Sequence, residues 1–534
     1  MSRSKVDAIV IGGGHNGLIA AGYLAKAGLK VTVLEKRSIV GGACVTEEIA
    51  PGFRVSRTSY VSSLMLPEVI RDFRMVERGY EVMIPDPSSF WVYPDGRYFL
   101  THRADPVKQR EEISKFSTKD VGAFERFDQD LMRLRPLLDD IMRTTPPKFP
   151  PVGIKDYWSY LRLGRKVQAL GKKDMRHFME LMMASSAEYL DKRFESTEMK
   201  ATIATSGTVG TGVGVMTPGS AYVILHHVMG GVNGIPGAWG YVRGGMGSIT
   251  KVLAEACKEW GVEIHTDSQV EKVLVRNGRA SGVVLKNGDE LPSRMVVSNA
   301  DPKRTYLGFV DSEHLDPEFL EDIRKFKIQG TSIKVNCALS ELPDWKCLPG
   351  KDPAAPHHQA MFAIAPSMDY LEEAFDDMKY GRPSRRPIID GNIASVMDDS
   401  LAPKGKHVMS LFVQYAPYHL KEGTWPEIRE KVADVIIDTI AEYAPNIKSA
   451  IIARDVLSPW DLEQQYGLTE GNIFHGEITP DQIFFMRPAP GWAHYRCPLR
   501  GLYLCGSGAH PGGGVMGGPG MNASREILRD LREL

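Results

Sequence analysis

The run Val6-Asp7-Ala8-Ile9-Val10-Ile11-Gly12-Gly13-Gly14-His15-Asn16-Gly17 decides the fold of this chain. Its first six residues are apolar and β-branched enough for a buried strand. Leu18, Ile19, Ala21, Leu24 and Ala25 then recur at helical spacing, and Gly28 ends the helix. Val31-Thr32-Val33-Leu34 reads as a second strand, closed by Glu35. Gly12 permits the tight turn, Gly14 lets backbone approach a pyrophosphate, and Gly17 lets the helix sit close to the strand. His15 and Asn16 fall in the first helical turn, whose N–H groups and dipole attract phosphate. Glu35 lies 18 residues after Gly17, where a carboxylate accepts the two ribose hydroxyls. Lys36 follows it at the rim of the same site.

Outward from this unit, Gly41-Gly42-Ala43 lets the chain pass close to a cofactor again, which a nicotinamide domain does not usually need. Near the other end, residues 502–505 read as a strand. The loop Gly506-Ser507-Gly508 through Gly514-Val515-Met516 follows it, and a helix follows over 521–531. Residues 501–524 carry no charge. This second close-approach loop feeding a helix N-terminus suits the ribityl chain and ring of a flavin. The two loops together predict FAD.

These segments resemble the phytoene-desaturase-like FAD flavoproteins. The resemblance rests on GGGHNGLIAAGYL (12–24), GGACVTEEIAPGF (41–53), LHHVMGG (225–231), GAWGYVRGGMGS (237–248), NIFHGE (472–477) and YRCPLRGLYLCGSGAHPGGGVMG (495–517). It implies an α/β fold. A Rossmann-type FAD-binding domain would be assembled from residues 1–75, 226–305 and 491–534. A mixed α+β substrate domain with a helical lid would come from 76–225 and 306–490. It also implies that backbone at Val270 contacts adenine; read alone, Val270 is a buried strand residue. Within this frame the reading expects a helix at 248–260, strands at 263–266 and from 269, and hairpin turns at Asn277-Gly278 and Asn287-Gly288. Strands are expected at 323–326, 332–339 and 408–415, and an amphipathic helix at 425–443. Ser117 or Thr118 should cap a helix carrying Phe124, Phe127, Leu131, Leu134, Leu138 and Ile141, with Pro136 kinking it.

Composition narrows the function. The chain has 534 residues with 65 Lys plus Arg against 66 Asp plus Glu, so nucleic-acid binding on bulk positive charge is excluded. Its six cysteines form no CxxC, which removes a sequence-local redox dithiol. Cys497 and Cys505 read as buried thiols, so FAD is expected to be non-covalent. Residues 201–242 hold no Asp, Glu, Lys or Arg but ten glycines and two prolines. That broken backbone suits a buried wall against a ligand better than a lipid-facing span.

The resemblance implies an FAD-dependent oxidoreductase of desaturase, dehydrogenase or saturase type. It would move a hydride between an apolar carbon chain and flavin, with oxygen, a quinone or a protein as electron partner. Amine oxidation, favoured by an aromatic cage beside the flavin, is an alternative. So is a flavin-bound interaction protein tied to respiratory-chain components. His510, embedded in the flavin loop, and His226 and His227 are the candidate catalytic groups, with His475 a further polar candidate. His357 and His358 lack a spaced carboxylate or Cys partner, and no metal is expected. The opening MSRSKVDAIVIGGG fits neither a signal peptide nor an Arg-rich presequence. A bacterial-type cytoplasm is expected, with the mitochondrial matrix or inner-membrane surface as the alternative from the resemblance. Residues 148–173 mix Tyr157, Trp158 and Tyr160 with Lys and Arg. This stretch reads either as a solvated helical face or as a peripheral contact with an anionic membrane.

Overall fold

The computed structural model describes residues 6–532. The opening run forms the strand Val6–Ile11 and the helix His15–Lys26, and Val31–Leu34 follows as predicted. These strands sit in a seven-stranded sheet of order Glu263–His265, Val31–Leu34, Val6–Ile11, Glu290–Ser298, Arg279–Leu285 and Val270–Arg276, with Leu502–Leu504 also paired to Glu290–Ser298. The pairings around Val6–Ile11 and to Leu502–Leu504 are parallel. The two hairpin strands Val270–Arg276 and Arg279–Leu285 are antiparallel. Asn277 and Gly278 both take positive φ, 52° and 66°, as a two-residue hairpin turn requires. Helices Gly247–Glu259 and Gly518–Arg532 pack with His15–Lys26 over this sheet. Three distant segments thus make one dinucleotide-binding layer.

A second seven-stranded sheet carries the substrate side. Its order is Ile451–Leu457, Ser332–Leu339, His407–Gln414, Ile388–Asn392, Met361–Ile364, Ser89–Val92 and Tyr98–Thr101. The period of two divides its faces. Ile333, Val335, Cys337, Leu411 and Val413 pack with Ile436, Ile437 and Ile440 of the helix Trp425–Tyr443. Lys334, Asp390 and Phe412 are left on the opposite face. The fold is therefore α/β: a discontinuous Rossmann-like layer plus a mixed α+β substrate domain.

The lid is helical. Ser117 accepts hydrogen bonds from the N–H groups of Lys119 and Asp120 and caps the helix Thr118–Arg143. The helix continues through Pro136. Phe127, Leu131, Leu134 and Leu138 are buried in a core shared with Tyr189, Ile203 and Ile224. One strand expectation fails. Residues 323–326 end the helix Pro317–Lys325. Asp316 accepts from the N–H groups of Glu318 and Phe319, Pro317 occupies the first turn, and Phe319, Leu320 and Ile323 form its buried face. The cap and helical spacing outweigh the apolar tetrad.

Gly17 shows how tightly the first layer is built. A Cβ there would lie 2.2 Å from the Gly12 carbonyl oxygen and 3.2 Å from the Asn299 side chain. Gly17→Ala is expected to lower folding stability by about 1–3 kcal/mol through overpacking. A thermal midpoint equal to that of the unaltered protein would contradict this packing.

Candidate active site

One cavity of about 900 Å³ lies between the two sheets and the lid. Its dinucleotide end is built at the carboxyl ends of Val6–Ile11 and Glu290–Ser298. Gly12, Gly14, His15, Glu35, Lys36, Gly42, Ala43 and Val270 line it. Glu35 accepts hydrogen bonds from the N–H groups of Gly13 (2.8 Å) and Arg37 (2.9 Å), which fix its carboxylate at the end of the strand. The helix His15–Lys26 has no side chain capping its first turn, so its N-terminal donors are left for a ligand. Nε2 of His15 and Nδ1 of His475 are buried without a hydrogen-bond partner among the described residues, and both histidines line the cavity. Burial pushes the His15 imidazole down to about 3, so it presents a neutral ring. Burial also lowers the Lys36 ammonium to about 8, and this group donates to the Gln464 carbonyl at 3.2 Å. An uncapped helix, a fixed carboxylate and orphaned buried imidazoles fit the phosphates and ribose of FAD.

Other predicted cofactor residues act one layer back. Asn16 is buried and donates to Ser507 Oγ at 3.2 Å, while Ser507 itself reaches the cavity. Gly17, Gly41, Gly506, Gly508 and Met516 do not line it. A Cβ on Gly41 would lie 2.5 Å from the Cys44 carbonyl oxygen. One on Gly506 would lie 2.5 Å from the Asn299 carbonyl oxygen, and one on Gly508 2.2 Å from Pro302. These glycines hold loops together rather than face the ligand. Met516 is buried in the lid core, and its carbonyl accepts from Leu66 N–H at 3.0 Å. Gly514 and Val515 do form cavity wall; Val515 takes φ 57°, a strained setting for a β-branched residue.

The three candidate histidines separate. His226 and His227 line the cavity. His226 Nε2 has no partner among the described residues, and burial pushes its imidazole down to about 3. His227 Nδ1–H donates to the Val223 carbonyl at 2.8 Å, and its ring stacks on Trp239. His510 does not reach the cavity. Its Nε2–H donates to the Ile141 carbonyl at 2.9 Å and its ring meets the edge of Phe484. It ties the flavin loop to the end of the helix Thr118–Arg143, which corrects the catalytic expectation. His357 and His358 lie side by side, with His358 bonded to the Gly350 carbonyl.

Beyond the flavin end Trp91, Phe99, Phe127, Leu131, Ile203 and Ile224 form an apolar and aromatic wall, with Arg103, Arg110, Glu125 and Asp128 also lining the cavity. The charge-free stretches 201–242 and 501–524 both contribute to the cavity, as expected. One polar cluster stands on it, and the sequence reading missed it. Lys334, Phe412 and Asp390 are in register across three neighbouring strands. Tyr60 stacks on Phe412 with ring centres 5.9 Å apart, and Lys334 Nζ lies 4.6 Å from the Tyr60 centroid. Lys334 donates to Ser410, which donates to Asn336 at 2.9 Å. Burial pushes Lys334 down to about 7 and Asp390 up to about 7. One Asp390 oxygen has no partner among the described residues. Near neutral pH each of these two groups can hold or hand over a proton at the cavity wall. A lysine on a strand alternating against Ile333, Val335 and Cys337 was the available signal.

This two-sheet architecture over one cavity defines an FAD-dependent oxidoreductase. The chain belongs to the flavin-containing amine oxidoreductase family, whose pattern matches residues 17–518. A rat protein called pyridine nucleotide-disulfide oxidoreductase domain-containing protein 2 is 40% identical, over 100% of this chain and 95% of its own. A limonene dehydrogenase subunit from Castellaniella defragrans is 25% identical over 99% of this chain and 96% of its own. Among solved structures, putrescine oxidase bound to putrescine superposes with a TM-score of 0.59 at 14% identity, covering 99% of this chain and 100% of that one. The family shown is not specifically that of the phytoene desaturases; one from Fusarium fujikuroi is 26% identical over 96% of this chain and 87% of its own.

Glu35→Gln keeps the shape of the carboxylate and removes its charge. Charge-assisted hydrogen bonds contribute about 1.5–3 kcal/mol, so FAD affinity should fall at least about tenfold. Fluorescence titration of the apoprotein with FAD measures this; unchanged affinity would remove Glu35 from the ribose site.

Proposed function

We propose that this protein oxidises a C–H bond of an apolar organic substrate, with FAD held non-covalently and oxygen or a quinone taking the electrons onward. The observation that carries this reading is the continuity of the FAD-binding end with a chamber rich in apolar and aromatic side chains. Among the described residues no cysteine lines that cavity, which supports non-covalent binding. FAD, when bound, supplies the hydride acceptor. The chain supplies orientation and exclusion of water. Trp91, Phe99, Phe127 and Leu131 enclose the substrate, and Lys334 with Asp390 provides a place for a proton.

The bond oxidised can lie in a hydrocarbon chain or beside an amine nitrogen. The family description and the fold shared with putrescine oxidase favour the amine. The limonene dehydrogenase relative, similar over nearly its whole length, carries a hydrocarbon in its name. In the cavity itself, the flavin loop presents Gly514 and Val515 rather than an aromatic ring. The stacked pair Tyr60 and Phe412 already has Lys334 against it. Lys334 disfavours a cationic amine at that ring pair, whereas Asp390, Glu125 and Asp128 on the same cavity would attract one, so the substrate panels decide between the two.

The deciding experiment is anaerobic bleaching of the flavin bands of the purified holoprotein by two panels. One holds neutral terpenes and polyenes, the other putrescine, cyclohexylamine and longer amines. Bleaching by neutral compounds alone establishes the hydrocarbon reading. Bleaching and peroxide release with amines alone establish amine oxidation. A protein that neither panel reduces overturns the proposal. With a reducing substrate in hand, the rate of bleaching should change with pH through a limb near 7. Lys334→Met and Asp390→Asn should each remove or displace that limb by more than about one pH unit; a profile identical to the parent's would exclude the pair from proton handling.

A further inference from the structure

We propose that the helical hairpin over residues 148–183 is a docking surface for an anionic lipid bilayer. The helix Ile154–Ala169 is unlike every other long helix of the fold: none of its described residues is buried. Tyr160, Leu163 and Val167 are half-buried on its inner side, while Ile154, Tyr157, Trp158 and Leu161 fall at i, i+3, i+4 and i+7 in a separate apolar stripe. That stripe points outward, with Ile154 76%, Tyr157 61% and Trp158 61% exposed. A helix that shows an apolar face to water has that face unpartnered.

The next helix, Gly171–Met183, repeats the arrangement. It buries His177 and Leu181 toward the lid and leaves Met175, Met179 and Met183 outward at i, i+4 and i+8. Its inner side is tied down: Arg133 donates to Asp174 at 3.1 Å and His177 bonds to Tyr189 at 2.6 Å. The outward methionines are therefore a second apolar stripe, beside the first. Val152, 80% exposed, extends the patch at its start.

Charge selects the occupant. Residues 148–183 hold eight Lys or Arg against three Asp or Glu, in a chain whose formal charge is −1. Arg162 and Arg165 make no ion pair among the described residues and adjoin Trp158 and Leu161 in a shallow surface groove. Two copies of so basic a patch repel each other, which disfavours self-association. An exposed apolar stripe with Trp and Tyr, flanked by free arginines, matches the boundary between acyl chains and anionic headgroups. No described helix is long and apolar enough to cross a membrane, so the contact would be peripheral. The patch stands on the outer side of Thr118–Arg143, whose Phe124, Phe127 and Leu131 wall the cavity.

The test uses the full-length holoprotein and sedimentation with vesicles, either pure phosphatidylcholine or phosphatidylcholine mixed with phosphatidylglycerol at roughly 7:3, a composition that gives the surface a negative potential. Binding should be at least about tenfold stronger to the anionic vesicles and should weaken as salt rises. Trp158→Glu and the double variant Arg162→Glu/Arg165→Glu should each lose at least about tenfold in binding, with flavin content and thermal midpoint unchanged. These side chains are not buried, so folding should be retained. Lack of vesicle binding, equal binding to both vesicles, or full binding by the folded variants overturns the proposal. No binding to lipid combined with a defined complex with an acidic protein would reassign the patch. None of these readouts depends on the identity of the substrate.

Discussion

The structure depends on backbone passing within van der Waals distance of backbone around Asn299. The Asn299 N–H donates to the Ile11 carbonyl at 2.9 Å, joining the ends of the two central parallel strands. Its side chain lies against Gly12, Gly14 and Gly17, and its carbonyl lies where a Cβ of Gly506 would sit. Loops from three distant parts of the chain therefore meet at one residue. Only glycine leaves room for that meeting, and the cavity opens outside these strand ends, where parallel sheets leave a crevice. The helix donors, Glu35 and the orphaned imidazoles all take their positions from it.

The chamber beyond follows from a second constraint, the period of the substrate sheet. Its strands give one face to the helix Trp425–Tyr443, and the other face must meet the dinucleotide layer. That second face mixes apolar residues with polar ones such as Asn336, Gln414 and Asn392. Lys334 and Asp390 are buried ionisable groups on it, and desolvation penalises the charge on each. Ser410 and Asn336 hold the lysine, and the ring of Tyr60, stacked on Phe412, lies against its ammonium. Retaining two such groups in a buried wall is how a fold gives up stability for a reactive centre.

The dinucleotide layer was legible because its constraint is written in glycine. Gly12, Gly14, Gly17 and the loop 506–518 announce close approach whatever surrounds them, and Glu35 has a fixed offset from them. Their individual roles were less legible. Gly506 and Gly508 face Asn299 and Pro302 rather than ligand, and only the three-dimensional meeting of loops tells packing from lining. His510 misled because a histidine inside a cofactor loop reads as chemistry, whereas here it reaches backward to the Ile141 carbonyl. The Lys334, Asp390 and Tyr60 cluster could not be assembled from sequence at all. Its members come from segments far apart in the chain, and their register is set by pairing across strands. The apolar tetrad at 323–326 failed for a local reason, since four residues do not distinguish a strand from the last turn of a capped helix.

The buried pair also links occupancy to protonation. Lys334 is held below its ordinary range, so the cost of its charge is fully present below about pH 7 and is relieved as pH rises toward the unfolded value. Asp390 is held above its range, so its cost is present above about pH 7 and is relieved as pH falls. Near neutrality both costs are at their full value, and each group's charged and neutral forms lie close in free energy. Water in the chamber solvates the ions and favours the charged pair. An apolar substrate that displaced this water would desolvate both groups further and favour the neutral form of each. Binding of an uncharged, proton-free molecule would in this way shift the protonation of the groups that face it.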